Sequence, residues 1–254
     1  MEVLGIDIGS YGIKGATVDT QQGKILSDRI STPPLEDTTP HKVLAQIHQV
    51  VRKEFQWNGP VGCAFPAAVS KGIVLSGKRI NDSWVDANAE QLFAEITDNP
   101  VSVINDTDAT GLAEIYFGAG KHQTGSTIVL TVGAEIGSSL FIGQQLVPNT
   151  ELGLIEIQGQ TVEKHASNET REKGGFPKKT WASRLQVVLE HFEKIFHPDL
   201  FIIGGEISRK TNKIFPFIKI NTPFKPTSFQ NDASIVGAAM VAAQKKKEGV
   251  LFGQ

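Results

Sequence analysis

The stretch Asp7-Ile8-Gly9-Ser10-Tyr11-Gly12-Ile13-Lys14 joins two apolar segments near the start of the chain. Residues 3–8 predict one strand and residues 13–19 predict another, so a tight turn with two glycines connects them. An acid at the end of a strand, followed by such a turn, can offer a carboxylate to a hydrated metal ion and backbone N–H groups to an anion. A hairpin whose glycines serve only the turn is the alternative interpretation.

A similar pattern returns in the second half of the chain. Residues 127–132 predict an apolar strand, Thr131-Val132-Gly133-Ala134-Glu135-Ile136-Gly137 contains the turn, and residues 136–142 predict the next strand. This repetition suggests a structural duplication without sequence identity. Two glycine turns that face each other across a cleft would hold phosphates. The sequence contains neither a P-loop nor a GxGxxG motif.

The rest of the sequence alternates predicted helices and strands. Its 254 residues can form one large core or two modest ones. A strand that runs directly into Asn105-Asp106 at the start of a helix is where open α/β sheets place ligands. The predicted helices are residues 38–55, 87–96, 107–117, 181–196 and 233–247, and the other predicted strands are residues 25–31, 61–65, 101–104, 145–148 and 199–203.

The composition excludes several classes of protein. The chain has 25 Lys and Arg against 27 Asp and Glu, and a formal charge of −2 excludes a strongly basic nucleic-acid-binding protein. Its single cysteine, Cys63, excludes an internal disulfide and a thiolate zinc site, so we expect no zinc. No apolar run approaches the roughly 20 residues of a membrane helix, and the first residues do not form a signal peptide. We therefore expect a cytoplasmic protein with neither a nucleic-acid nor a membrane partner.

Six motifs follow one another along essentially the whole chain. They are Asp7-Ile8-Gly9-Ser10-Tyr11-Gly12-Ile13-Lys14, Asn105-Asp106-Thr107-Asp108-Ala109, Pro148-Asn149-Thr150-Glu151-Leu152-Gly153, Trp181-Ala182-Ser183-Arg184-Leu185-Gln186, Pro198-Asp199-Leu200-Phe201-Ile202-Ile203-Gly204-Gly205, and residues 230–239. In order and spacing they resemble the polyphosphate glucokinases, which belong to the ROK group of sugar kinases in the actin/hexokinase superfamily.

The resemblance implies a fold and a reaction. The fold would be α/β, of the two-lobed actin-like ATPase and ribonuclease H-like type with a central cleft. Its N-terminal lobe would hold residues 1–105, completed by a C-terminal helix at 232–247, and its C-terminal lobe would hold residues 106–231. The reaction would be phosphoryl transfer from polyphosphate or a nucleoside triphosphate such as ATP to the 6-hydroxyl of glucose or a related hexose, with Mg²⁺. The family also implies a homodimer.

The resemblance also assigns roles to individual residues. Asp106 corresponds to the general base that takes the proton from the sugar hydroxyl, although an Asn/Asp helix cap is the alternative for residues 105–106. Asp7 would hold Mg²⁺ through water, in addition to its place among the phosphate-binding residues given below. The other expected substrate-binding residues are Asn105, Glu151, Asp108, Phe65 and Pro66. The expected phosphate-binding residues are Asp7, Gly9, Gly12, Lys14, Gly133, Gly137, Gly204 and Gly205.

Several positions depart from the family's pattern. Leu154 stands where the family has the histidine of Glu-x-Gly-His, which leaves a sugar hydroxyl without a partner at a cost on the order of 1–3 kcal/mol. Gly133-Ala134-Glu135 replaces Gly-Thr-Gly, and a carboxylate about 4 Å from a phosphate costs roughly 4 kcal/mol at an effective dielectric near 20. Glu206 follows Gly204-Gly205, where the family often has a third glycine. Glu135 and Leu154 favour an alternative function, a catalytically silent homologue that binds a sugar or phosphorylated ligand as a sensor or partner protein, whereas Asp7 and Asp106 favour the kinase.

Overall fold

The computed structural model describes residues 1–9, 11–77 and 79–247 of the chain. These residues divide into a first unit, which holds Met1–Ala113 and the chain from Asp232 on, and a second unit, Glu114–Asn231. The division falls after Ala113 and not at the expected residue 105. The reason is the helix that begins at Asp106, because its backbone packs against the C-terminal helix Ala233–Lys247. A Cβ added at Gly237 would lie 1.8 Å from the Ala109 carbonyl oxygen.

A six-stranded sheet forms the centre of the first unit. Its strands and those of a neighbouring hairpin are β1 (Glu2–Gly9), β2 (Gly12–Asp19), β3 (Lys24–Ile25), β4 (Ile30–Ser31), β5 (Val61–Phe65), β6 (Val69–Ser70), β7 (Ile73–Val74) and β8 (Val101–Asn105). The sheet order is β3-β2-β1-β5-β8, β4 pairs with β2, and β6 pairs with β7. β1 and β2 are antiparallel, whereas β1, β5 and β8 are parallel.

The strand expected at residues 25–31 is interrupted in the structure. Between β3 and β4 the Ser27 hydroxyl, and not a backbone carbonyl, accepts the N–H of Thr17 on β2 at 3.0 Å. The Leu26 N–H still donates to the Thr17 carbonyl oxygen at 2.8 Å, but the Ser27 side chain then takes the place of a backbone acceptor, and the chain returns to the sheet at Ile30.

Helices cover both faces of this sheet. They are α1 (Pro40–His48), α2 (Ala89–Thr97), α3 (Asp106–Tyr116) and the C-terminal helix, and a π-helical turn, Gln49–Glu54, continues α1. Side chains of α1 and α2 join those of the strands in one apolar core. The C-terminal helix lies directly on the strand backbones, since a Cβ added at Gly62 would lie 1.9 Å from the Ala238 carbonyl oxygen.

The second unit repeats this strand order. Its strands are β9 (Ser126–Val132), β10 (Ile136–Ile142), β11 (Gln145–Val147), β12 (Glu156–Ile157), β13 (Gln160–Thr161), β14 (Leu200–Gly205) and β15 (Phe224–Pro226). The main sheet has the order β11-β10-β9-β14-β15, and β12 pairs with β13. β9 and β10 are antiparallel, and β9, β14 and β15 are parallel. The duplication predicted from the two glycine turns is therefore present in the topology.

Four helices accompany the second sheet. They are α4 (Val162–Ala166), α5 (Asn168–Lys173), α6 (Lys178–Phe196) and α7 (Thr211–Ile214). The apolar face of α6, which includes Trp181, Leu185 and Phe192, packs into the core of the sheet. Among the described residues, no helix combines the length and the apolar character needed to cross a membrane.

Candidate active site

Asp7 lies near the end of β1, directly opposite Lys14 on β2. The side chain of Asp7 is 16% exposed, and its Oδ2 lies 4.0 Å from the Lys14 Nζ. Burial raises the pKa of Asp7 to about 6; Lys14 lowers it, nearby Asp106 raises it, and a hydrogen bond with Ser234 lowers it. The ionised carboxylate is thus only partly compensated by its surroundings, and a cation would stabilise it.

The two glycines of the first turn have different environments. Gly12 has a φ of +99°, and an added Cβ would lie 2.3 Å from the Thr32 carbonyl oxygen, so the local backbone itself requires a glycine. An added Cβ at Gly9 would find no atom closer than 3.9 Å. Space is therefore open beside Gly9, where an anion could approach the backbone. Residue 10 lies outside the described residues.

Asn105, at the end of β8, is a helix cap. Its Oδ1 accepts the backbone N–H groups of Thr107 at 2.9 Å and Asp108 at 3.0 Å, and its Nδ2 donates to the Ala67 carbonyl oxygen at 3.1 Å. The side chain is buried. The alternative interpretation, a cap at the start of α3, therefore describes Asn105, while its role as a sugar ligand stays a prediction.

Asp106 is the first residue of α3, and its carboxylate is 26% exposed. The Arg79 Nη1 lies 3.3 Å from its Oδ1 and 3.4 Å from its Oδ2, and the Thr107 N–H donates to Oδ1 at 2.8 Å. The helix N-terminus also favours a negative charge at this position. Asp106 is thus held in place on one side and accessible on the other, which suits a general base. The sequence offered no signal for Arg79, because its loop has no periodic pattern.

The remaining expected substrate-binding residues of the first unit are buried. The Phe65 ring lies in the core, 5.1 Å from the Trp84 ring between centroids, and the residue as a whole is fully buried. Pro66 and Asp108 are also buried. Their roles in binding a substrate stay predictions.

The second glycine turn lies beside the end of β14. Gly204 pairs with Thr131 and Gly205 with Val132, so the structure brings two predicted phosphate-binding segments together. A Cβ added at Gly133 would find nothing within 4 Å, whereas one at Gly205, which has a φ of +79°, would lie 2.6 Å from the Val132 carbonyl oxygen. As in the first turn, one glycine leaves open space and another is required by the backbone.

The contacts of this turn involve a residue that the sequence did not single out. The Gly133 N–H donates to the Glu135 carbonyl oxygen at 2.9 Å, and the Gly133 carbonyl accepts the N–H of Asn168 at 2.7 Å. Gly137 continues into β10 opposite Thr131. The Oε2 atom of Glu135 is buried while the residue as a whole is half-buried, so the carboxylate turns partly toward the protein.

Glu151 precedes a 3₁₀ turn, Leu152–Leu154, and is half-buried. Ser138 on β10 holds this turn, because its hydroxyl donates to the Thr150 carbonyl oxygen and accepts the Leu152 N–H at 2.9 Å. Leu154 is 44% exposed. The Leu154 side chain therefore does not fill a closed part of the core, and the role of Glu151 in binding sugar stays a prediction.

The first unit contains a carboxylate that suits Mg²⁺. Across residues 1–9, 11–77 and 79–247, no cluster of three or more His, Cys, Asp and Glu side chains could hold a metal ion by itself. Mg²⁺ is usually held by one or two carboxylates together with substrate phosphates and water. Asp7, whose carboxylate is largely buried but 16% exposed, fits that type of binding.

Comparison with known proteins agrees with these features. Residues 3–163 match the model of the ROK family. The chain belongs to this family. A polyphosphate glucokinase of Mycobacterium tuberculosis is 41% identical over 240 residues, which cover 94% of this chain and 90% of that protein. A polyphosphate glucokinase of Mycobacterium leprae is 40% identical over 240 residues, which cover 94% of this chain and 74% of that protein.

A solved structure supports the same assignment. The inorganic polyphosphate/ATP-glucomannokinase from Arthrobacter sp. strain KM superposes with a TM-score of 0.93 at 38% identity, covering 96% of this ROK protein and 99% of the other chain. The family resemblance and the expected α/β fold of the actin-like ATPase type are thereby confirmed.

Proposed function

We propose that this chain is a sugar kinase that transfers a phosphoryl group from polyphosphate or ATP to the 6-hydroxyl of glucose or a related hexose. The observation that carries the proposal is the 41% identity to a polyphosphate glucokinase over 94% of the chain. The catalytically silent alternative is not favoured, because both carboxylates of the predicted site, Asp7 and Asp106, are present and accessible in part.

Asp106 is the proposed general base. The hexose hydroxyl would donate a hydrogen bond to the accessible side of this carboxylate. As the hydroxyl oxygen bonds to phosphorus, the bond from phosphorus to the donor's bridging oxygen breaks, and Asp106 takes the proton. Arg79 and the Thr107 N–H keep the carboxylate oriented before the sugar arrives.

Each glycine turn is a predicted phosphate-binding element of its own unit. The open space beside Gly9 and Gly133 lets phosphate oxygens approach backbone N–H groups, and Lys14 adds a positive charge near the first turn. Asp7 would hold Mg²⁺ through water, and the ion, when bound, neutralises charge on the phosphates. The predicted sugar contacts of Glu151, the homodimer and the cytoplasmic location are parts of the same proposal.

The test is a coupled assay of sugar phosphate formation with glucose or mannose, Mg²⁺, and polyphosphate or ATP. The wild type should turn over, and Asp106→Asn should lose about 10²- to 10⁴-fold in kcat, because the general base is removed. Asp86→Asn, at an exposed loop position, is the matched control and should keep full activity. Absence of turnover across a panel of hexoses with both donors would instead support the silent homologue.

A further inference from the structure

Asn168, the first residue of α5, lies in the interior of the second unit. It is 3% exposed. Its backbone N–H donates to the Gly133 carbonyl oxygen at 2.7 Å. Its Nδ2 donates to the Glu206 Oε2 at 2.5 Å and to the Glu172 Oε1 at 3.1 Å, and its Oδ1 accepts from the Arg171 Nε at 2.8 Å. Asn168 is thus fixed by four hydrogen bonds.

The two segments that Asn168 joins are the ones proposed to hold the phosphoryl donor. Gly133 opens the second glycine turn, and Glu206 directly follows Gly204-Gly205 at the end of β14. These segments are neighbours in the sheet, where Gly205 pairs with Val132. Asn168 therefore ties together both parts of one anion-binding surface, through its backbone on one side and its side chain on the other.

The charge of Glu206 connects its contact with Asn168 to phosphate binding. A carboxylate next to the glycine pair repels phosphate oxygens if it is free to turn toward them. The amide of Asn168 holds one oxygen of that carboxylate in a charge-assisted hydrogen bond. Arg171 fixes the orientation of the amide, since it binds Oδ1 of Asn168 and lies over the Trp181 ring at 5.2 Å from its centroid.

We propose that Asn168 is a positioning residue for the phosphoryl donor, which holds the Gly133 turn and the Glu206 carboxylate in the arrangement that phosphates bind. The proposal rests on the proposed function, because it takes these turns as the donor site. It also explains why an amide, and not a carboxylate, stands at this position. An aspartate would place a third negative charge against Glu172 and Glu206 and would release Glu206.

The test measures equilibrium binding and does not depend on turnover. Calorimetry with inorganic tripolyphosphate and Mg²⁺ should show at least a tenfold weaker Kd for Asn168→Asp, while the Kd for glucose stays within twofold. Adding Glu206→Gln to Asn168→Asp should restore donor binding to within threefold of the wild type. Glu169→Gln, on the same helix at a side chain that is 54% exposed, is the control and should change neither Kd.

Asn168→Ser provides a second, milder variant that keeps the backbone contact with Gly133. It should weaken tripolyphosphate binding at least fivefold, and it decides the question if Asn168→Asp does not fold. The proposal is overturned if donor and glucose binding weaken equally, or if Glu206→Gln restores nothing. A wild type that binds tripolyphosphate but phosphorylates no hexose refutes only the proposed function, whereas a wild type that binds neither tripolyphosphate nor ATP with Mg²⁺ refutes this proposal as well.

Discussion

The two glycine turns occupy the same place in two sheets of the same strand order, but different groups surround them. Beside the first turn, Asp7 and Lys14 form a charged pair across β1 and β2. The corresponding strands of the second unit, β9 and β10, contain no charged residue. There the support comes from Asn168, on a helix outside the sheet. The two units share one strand order, whereas the side chains that support the glycine turn differ between them.

This difference predicts that ionisation of Asp7, beside the first turn, lowers the free energy of unfolding as the pH rises. The pKa of Asp7 is about 6 in the folded chain against an ordinary 3.8. A carboxyl whose pKa is raised by folding contributes stability below its unfolded pKa, and that contribution is lost as the pH rises through the folded value. Because two pKa units correspond to about 3 kcal/mol, Asp7→Asn should raise the free energy of unfolding by about that much more at pH 8 than at pH 4.

The measurement is urea denaturation at both pH values without Mg²⁺ or phosphate. Asp37→Asn is the control, since hydrogen bonds from the backbone and side chain of Thr39 lower the pKa of Asp37 and reverse the expected sign. An Asp7→Asn effect that is equal at pH 4 and pH 8 would show that the carboxylate at the first turn is well solvated. The pair of Asp7 and Lys14 would then make no difference between the two turns in the free energy of unfolding.

In both turn regions, alanine substitutions should distinguish the glycine that the backbone requires from the glycine that lies beside open space. Gly12→Ala and Gly205→Ala place a Cβ against backbone at a positive φ, and each should lower the free energy of unfolding by about 1–3 kcal/mol. Gly9→Ala and Gly133→Ala meet open space. These two should change stability by only about 0.5 kcal/mol but raise the KM for the phosphoryl donor, because the methyl group occupies the phosphate's place.

Thermal unfolding and steady-state kinetics with varied donor separate these effects. Gly159→Ser is a useful reference, since Gly159 combines a φ of +79° with no atoms within 4 Å of an added Cβ. It should lose stability without any change in donor KM. If Gly9→Ala and Gly133→Ala leave the donor KM unchanged, the open space beside these glycines is not where phosphates bind.

Long apolar segments made much of this fold predictable. The strand predicted at residues 136–142 and the helix predicted at residues 233–247 have those bounds in the structure. The short helices α4 and α5 were missed, because five or six residues give less than two turns of periodicity. Thr161 and Ser167, whose hydroxyls cap these helices, were the available signal.

The site was predictable only where a local motif carried it. Asp7 lies near the end of one recognisable strand and Asp106 directly follows another, so their place at strand ends came from the sequence. Arg79 and Asn168 had no such signal, since the contacts that link Arg79 to Asp106 and Asn168 to Gly133 and Glu206 join residues far apart in the chain. The Arg79–Asp106 pair spans 27 residues and the bond from Asn168 to Glu206 spans 38, and no periodicity relates positions at those separations.

The smallest expected effect concerns the charge at the second turn. Replacing Ala134-Glu135 by Thr-Gly removes a carboxylate beside the proposed phosphates and adds a hydroxyl donor, so tripolyphosphate with Mg²⁺ should bind at least tenfold more tightly, about 1.4 kcal/mol. Glu135→Gln alone separates the two contributions, and its gain should shrink as salt screens the repulsion. Equal affinities at every salt concentration would mean that the Glu135 carboxylate, whose Oε2 is buried, does not act on the phosphates. The two turns would then differ in their supporting side chains but not in the charge that they present to the donor.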